Sequence, residues 1–150
     1  MHPRTQPIYI PSSGMPQAAP PSREIFGCMG QAGIFGLLAE LYQELEASSV
    51  RHLFPADMQA ASERSAAFFV QLLGGPPLFS ERFGPPRMRA RHIPFEIDDA
   101  ARDTWLACFQ RVLEKAPERH GFPPEHLDGF QAFLHSFSAW MVNVGPPAQG

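Results

Sequence analysis

Apolar residues in the middle of the chain recur at helical spacing, and no run alternates as a strand would. Ile34, Leu37, Leu38, Leu41, Tyr42 and Leu45 fall at three- and four-residue steps, which is one face of a helix. Met58, Ala61, Ser65, Phe68, Phe69 and Leu72 repeat the pattern. Asp57 is placed to cap that second helix, and Gly74-Gly75-Pro76-Pro77 stops it. A third helix is predicted from Asp98, with Trp105, Cys108, Phe109, Val112 and Leu113 on one face and a stop near Pro117. A fourth begins around Pro123-Pro124, where proline is tolerated in a first turn, and carries Leu127, Phe130, Leu134, Phe137 and Met141 towards Gly145.

Two stretches break this pattern. Residues 1–22 hold six prolines, each lacking an N–H and restricting its predecessor, so a flexible, extended arm is expected ahead of a domain at 23–144. Residues 145–150 read as a tail. The interval from Pro76 to Pro94 is rich in Pro, Gly and Arg and has room only for short helical pieces. A regular four-helix bundle uses short connections, and an interval this long usually carries function. The fold class expected is all-α.

Composition adds a hint of what the core holds. The chain has 13 Phe and 2 Trp against 2 Tyr, a large apolar area with few polar handles. That suits either an ordinary core or one wrapped around a flat apolar group. At 150 residues, one domain can bury about 70% of its unfolded surface. The net charge of −3 provides no global basic field for nucleic acid. Arg82, Arg87, Arg89 and Arg91 nevertheless cluster, as a local anion site or as a solvated face. Cys28 and Cys108 form no C-x-x-C pair and read as reduced thiols. No apolar run resembling a membrane span or a secretory signal stands out, so a soluble, cytoplasmic protein is expected.

Among side chains with chemistry, His92 stands out by its surroundings, RMRARHIPF. A lone histidine is more often structural than a ligand. A multi-histidine zinc site lacks partners, because His120 and His126 are six apart across prolines while His52 and His135 stand alone. Haem asks for less: one imidazole, a large apolar pocket and cations for its propionates. All three are available near His92.

From Leu72 to Phe109 the chain reads LLGGPPLFSERFGPPRMRARHIPFEIDDAARDTWLACF. This stretch resembles the diagnostic core of the group II truncated hemoglobins. They carry a glycine-glycine-proline after the distal helix, an aromatic, a glycine-proline turn, an Arg-x-Arg-His-x-Pro-Phe segment and an Arg-Asp-x-Trp-Leu-x-Cys run. Weaker similarity extends upstream through FGLLAELYQEL and HLFPADM and downstream to Asn143, covering residues 25–143.

The resemblance implies a 2-over-2 helical sandwich holding haem b between the helix of 57–73 and the His92 segment. His92 falls on the proximal iron ligand. Tyr42 and Trp105 fall on distal donors that stabilise an iron-bound ligand. Phe54, Phe68 and Phe95 fall on apolar haem contacts, and Arg89 and Arg91 are the candidates for the propionates. Ala61 stands where larger globins keep a gating histidine, which leaves that side open. Ser65 either joins the distal donors or bonds back to the preceding helical turn. Pro85 departs from relatives that often place a histidine near the propionates.

The implied ligands are O2, NO, CO or peroxide, with an unidentified reductase and a monomeric or homodimeric state. No nucleic-acid or membrane partner is expected. Each charge-assisted donor contributes about 1.5–3 kcal/mol, roughly ten- to a hundredfold in ligand off-rate. Three functions follow as alternatives: redox chemistry on nitric oxide or peroxide, simple reversible oxygen binding or sensing, and a haem-free helical interaction module.

Overall fold

The computed structural model describes residues 4–12, 14–16 and 19–146. Residues 1–3, 13, 17 and 18 of the expected arm and the last four of the expected tail therefore lie outside the described residues. Among those described there are six α-helices and no strand: α1 (Ile25–Glu46), α2 (Met58–Leu72), α3 (Leu78–Phe83), α4 (Met88–His92), α5 (Asp99–His120) and α6 (Leu127–Met141). Two short 3-10 turns, Arg51–Leu53 and Pro124–His126, precede α2 and α6.

The predicted caps form. Asp57 accepts from the Ala60 N–H at 3.0 Å and Asp98 from the Ala101 N–H at 2.8 Å, satisfying N–H groups that have no partner inside the helix. α1 starts earlier than its apolar face predicts. It kinks at Gly30, whose φ of 71° and ψ of 172° leave the helical region. By length and composition α1 could cross a membrane, contrary to the expectation that no apolar run resembles a span. Here its Ile34, Leu37, Leu38, Leu41 and Leu45 face is fully enclosed, and the helix packs on α2 and α5 as a core element.

α5 does not stop near Pro117. It runs one more turn and ends on Gly121, at a φ of 71°. The added turn is held from outside. His120 Nε2 lies 2.7 Å from Glu40 on α1, and Arg119 donates to the same carboxylate at 3.1 Å. Gly33 and Gly36 let the two helices approach, since a Cβ at either would sit under 3 Å from His120. Tertiary contacts offset the hydrogen bond that proline removes.

The α1–α2 layer stacks on the α5–α6 layer. Between them Phe69, Phe109, Phe122 and Phe130 meet edge-on or tilted, with ring centroids 5.2–5.9 Å apart. Gly74 ends α2 at a φ of 106°, so close to Arg23 that a Cβ would lie 2.0 Å from its carbonyl oxygen. The Phe26 N–H donates to Leu73 O at 2.9 Å, joining the two helix ends there.

The described residues of the arm form no helix or strand, and residues 4–9 are docked rather than free. Tyr9 N–H donates to Asn143 O at 2.9 Å, Arg89 donates to Tyr9 O at 2.7 Å, and the Tyr9 ring packs over Gly145. Composition excluded a helix in this segment. It carried no information about tertiary partners.

Candidate haem site

The proximal side is built on α4, a five-residue helix between Arg87, whose φ is 39°, and Pro94. His92 lies at its last position. Its Nδ1 is 2.6 Å from the Met88 carbonyl oxygen. A carbonyl only accepts, so Nδ1 carries the proton and the lone pair sits on Nε2. Among the described residues Nε2 has no hydrogen-bond partner. Burial holds the imidazole below the usual histidine range, with the Met88 hydrogen bond opposing only in part. The ring is therefore neutral near pH 7, the state in which imidazole binds a metal.

Arg89 and Arg91, expected at the propionates, direct their donors to main-chain carbonyls instead. Arg89 reaches the carbonyls of Trp140, Val142 and Tyr9, with its guanidinium 4.4 Å above the Trp140 ring. Arg91 reaches the carbonyls of Phe83, Pro85 and Pro86 at 2.6–2.9 Å. Both tie α4 to its neighbours. Among the described residues, the Arg82 and Arg87 side chains have no hydrogen-bond or ion-pair partner. Arg87 lines a surface concavity of about 370 Å³ with Pro85, Ala90 and Arg91.

On the distal side, α1 presents Tyr42 and α2 presents Ala61, Ser65 and Phe68. Burial raises the Tyr42 phenol above the usual tyrosine range, opposed by a hydrogen bond from Ser65 and by the Arg64 charge. Tyr42 thus stays a neutral O–H donor well into alkaline solution. Ser65 lies close enough to Tyr42 to oppose that rise. Phe54, extended after its 3-10 turn, meets Tyr42 edge-on at 5.5 Å. Trp105 on α5 packs edge-on against Phe109 at 5.2 Å, and among the described residues its indole N–H has no acceptor. Phe68 stacks on Phe137 at 5.9 Å, whereas Phe95 remains 43% exposed beside α4.

These residues fit a haem. His92 offers a free Nε2 in the correct tautomer. Tyr42, Phe54, Phe68, Leu72, Leu78, Trp105 and Phe133 pack on the core while staying only partly covered. Such a collection of large apolar side chains, half-covered and close together, is what a flat apolar group would bury.

The sequence reading missed Asn143. It is fully buried, accepts from Ile97 N–H at 3.0 Å and donates to His92 O at 3.2 Å. A single Asn at a helix end carries no pattern that would single it out. Arg64 is a second omission. It stacks 4.9 Å from the Phe83 ring and acts on Tyr42, and only the fold brings those three together.

The profile of the bacterial-like globin family matches residues 25–142, and the chain belongs to that family. Within it, the chain is a group II truncated hemoglobin with the 2-on-2 fold. It is 37% identical to the group 2 truncated hemoglobin YjbI of Bacillus subtilis over 79 residues, 51% of this chain and 60% of that protein. The match spans 34–60% of the length of the curated relatives found. Its fold superposes on phosphate-bound Hell's gate globin IV with a TM-score of 0.81 and 32% identity, covering 88% of this chain and 82% of that one. With the truncated oxygen-avid haemoglobin of Bacillus subtilis the TM-score is 0.72 at 28% identity, covering 79% and 98%. Membership of the family implies haem and the binding of small diatomic ligands.

Proposed function

We propose that this protein holds haem b through His92 and retains a diatomic ligand tightly enough for redox chemistry rather than delivery. The observation that carries the reading is the proximity of Ser65 to a half-buried, neutral Tyr42, together with a Trp105 indole that has no acceptor among the described residues. Haem supplies the iron at which the ligand binds and the electron density that the ligand receives.

The chain's own residues then act on that ligand. Tyr42 and Trp105 donate hydrogen bonds to it, Ser65 orients the Tyr42 hydroxyl, and Phe54 and Phe68 keep water away. Two donors at about 1.5–3 kcal/mol each slow release by several orders of magnitude, and slow release suits consumption of the ligand. The Bacillus subtilis relative described as oxygen-avid supports this direction.

The substrate proposed is nitric oxide meeting the oxygenated protein to yield nitrate, with peroxide turnover as the related activity. Rapid mixing of the oxygenated protein with nitric oxide should give stoichiometric nitrate. Neither nitrate formation nor peroxide turnover would leave reversible binding as the function. That second reading has its own support in Ala61, whose small side chain stands one turn before Ser65 and leaves the approach unblocked.

A further inference from the structure

The arm and the ligand helix meet at one group of hydrogen bonds. α4 has only five residues, so its last carbonyls find no partners inside the helix. The Phe95 N–H supplies one local partner, to the His92 carbonyl at 2.9 Å, and two side chains from distant parts of the chain add to it. Asn143 Nδ2 donates to the carbonyl of His92 itself at 3.2 Å, and Arg4 Nη1 donates to the carbonyl of Ile93 at 2.9 Å.

These two side chains are also joined to each other. Arg4 Nη1 donates to Asn143 Oδ1 at 2.8 Å, and Arg4 Nη2 donates to Asn143 O. Asn143 in turn exchanges main-chain and side-chain hydrogen bonds with Ile97, at 2.9 and 3.0 Å. Glu96 anchors the chain just after Arg4, accepting from the Thr5 hydroxyl at 2.7 Å and from the Thr5 and Gln6 N–H groups.

We propose that the N-terminal arm is a proximal clamp, in which Arg4 acts through Asn143 and the Ile93 carbonyl to fix the position of His92. The proposal rests on the reading of His92 as the haem ligand. Arg4 and Asn143 are positioning residues. Neither belongs to the distal donor set, so they act on the strength and direction of the imidazole bond. A planar guanidinium suits the task because its N–H groups address four carbonyls and an amide oxygen at once. Lysine offers a single point charge and cannot reproduce that arrangement.

The test compares the native full-length chain with Arg4→Ala, Arg4→Lys and Glu96→Gln. In the haem-free proteins, amide hydrogen exchange at Ile97 and Asn143 is measured. Loss of the clamp should raise it about tenfold in Arg4→Ala, with α1 and α2 unchanged. In the ferrous haem proteins, resonance Raman reads the iron–histidine stretching band. The band should broaden and move to lower frequency in Arg4→Ala, with Arg4→Lys between that variant and native.

Raised exchange with an unmoved band would overturn the proposal, reducing the arm to a structural tie. Glu96→Gln loosens only the Thr5–Gln6 end and should give the same changes at smaller amplitude, which keeps the test open if Arg4→Ala fails to fold. A native chain that takes up no haem, or a His92→Gly protein with an unchanged band, would overturn the ligand reading and the clamp with it.

Discussion

His92 Nδ1 lies 2.6 Å from the carbonyl oxygen of Met88, one turn back on a helix of five residues. That contact selects the tautomer, orients the ring about its χ angles and leaves Nε2 as the one available lone pair. It also makes the imidazole a better electron donor, as an accepting partner on the second nitrogen does for any metal-bound histidine.

His92→Gly should therefore lose haem readily and recover a Soret band when free imidazole is added, since the pocket walls do not depend on the ring. A stable haem complex without imidazole would move the ligand elsewhere. In the haem-free chain the same histidine should make stability fall on acidification. Its folded pKa is depressed, so its contribution is present above the ordinary histidine range, about pH 6.5, and is lost as pH falls towards the folded value. Urea titrations at several pH values should show a shallower decline for His92→Leu than for native protein.

On the distal side, Trp105→Phe should raise the O2 off-rate roughly ten- to a hundredfold, the effect of one charge-assisted donor. Tyr42→Phe should act in the same direction. The double variant should exceed either single change, because the donors come from different helices, α5 and α1. Stopped-flow displacement of O2 by CO measures all three. An unchanged rate in Trp105→Phe would show that the indole does not reach the ligand.

Docking of the arm should respond to acid through Glu96. Hydrogen bonds from the Thr5 side chain and main chain hold its carboxyl below the usual carboxylate range. The charged form therefore favours the docked arm above that range, and the preference is lost as pH falls through the depressed value. The Thr5 amide resonance should titrate with Glu96 in native protein and lose that titration in Glu96→Gln.

Two glycines separate conformational strain from steric conflict. Gly74 and Gly84 both have positive φ, 106° and 84°, but only at Gly74 would a Cβ strike another chain segment, 2.0 Å from Arg23 O. Gly84→Ala should cost about 1 kcal/mol. Gly74→Ala should cost about 3 kcal/mol and lower Tm by roughly 10 °C, because the α1 and α2 ends must part. Differential scanning calorimetry of the two variants distinguishes them.

The periodic apolar faces of α1, α2, α5 and α6, the caps at Asp57 and Asp98 and the stop at Gly74-Gly75 were all legible in the sequence. Each depends on residues within a few positions of one another. His92, Tyr42 and Trp105 were singled out as ligand and donors only through the resemblance, which rests on spaced side chains. Pro117 misled, because the contacts that carry α5 past it come from Glu40, 77 residues earlier.

Local spacing by itself determined an all-helical chain with an irregular, arginine-rich interval around one histidine. Only the tertiary structure decided which carbonyls Arg89 and Arg91 meet, that Ser65 comes near Tyr42, and that Arg4 reaches the backbone beside His92. A guanidinium or an amide has several possible partners at similar cost. Which one it meets is settled by the packing of segments far apart in the chain, and no local pattern records it.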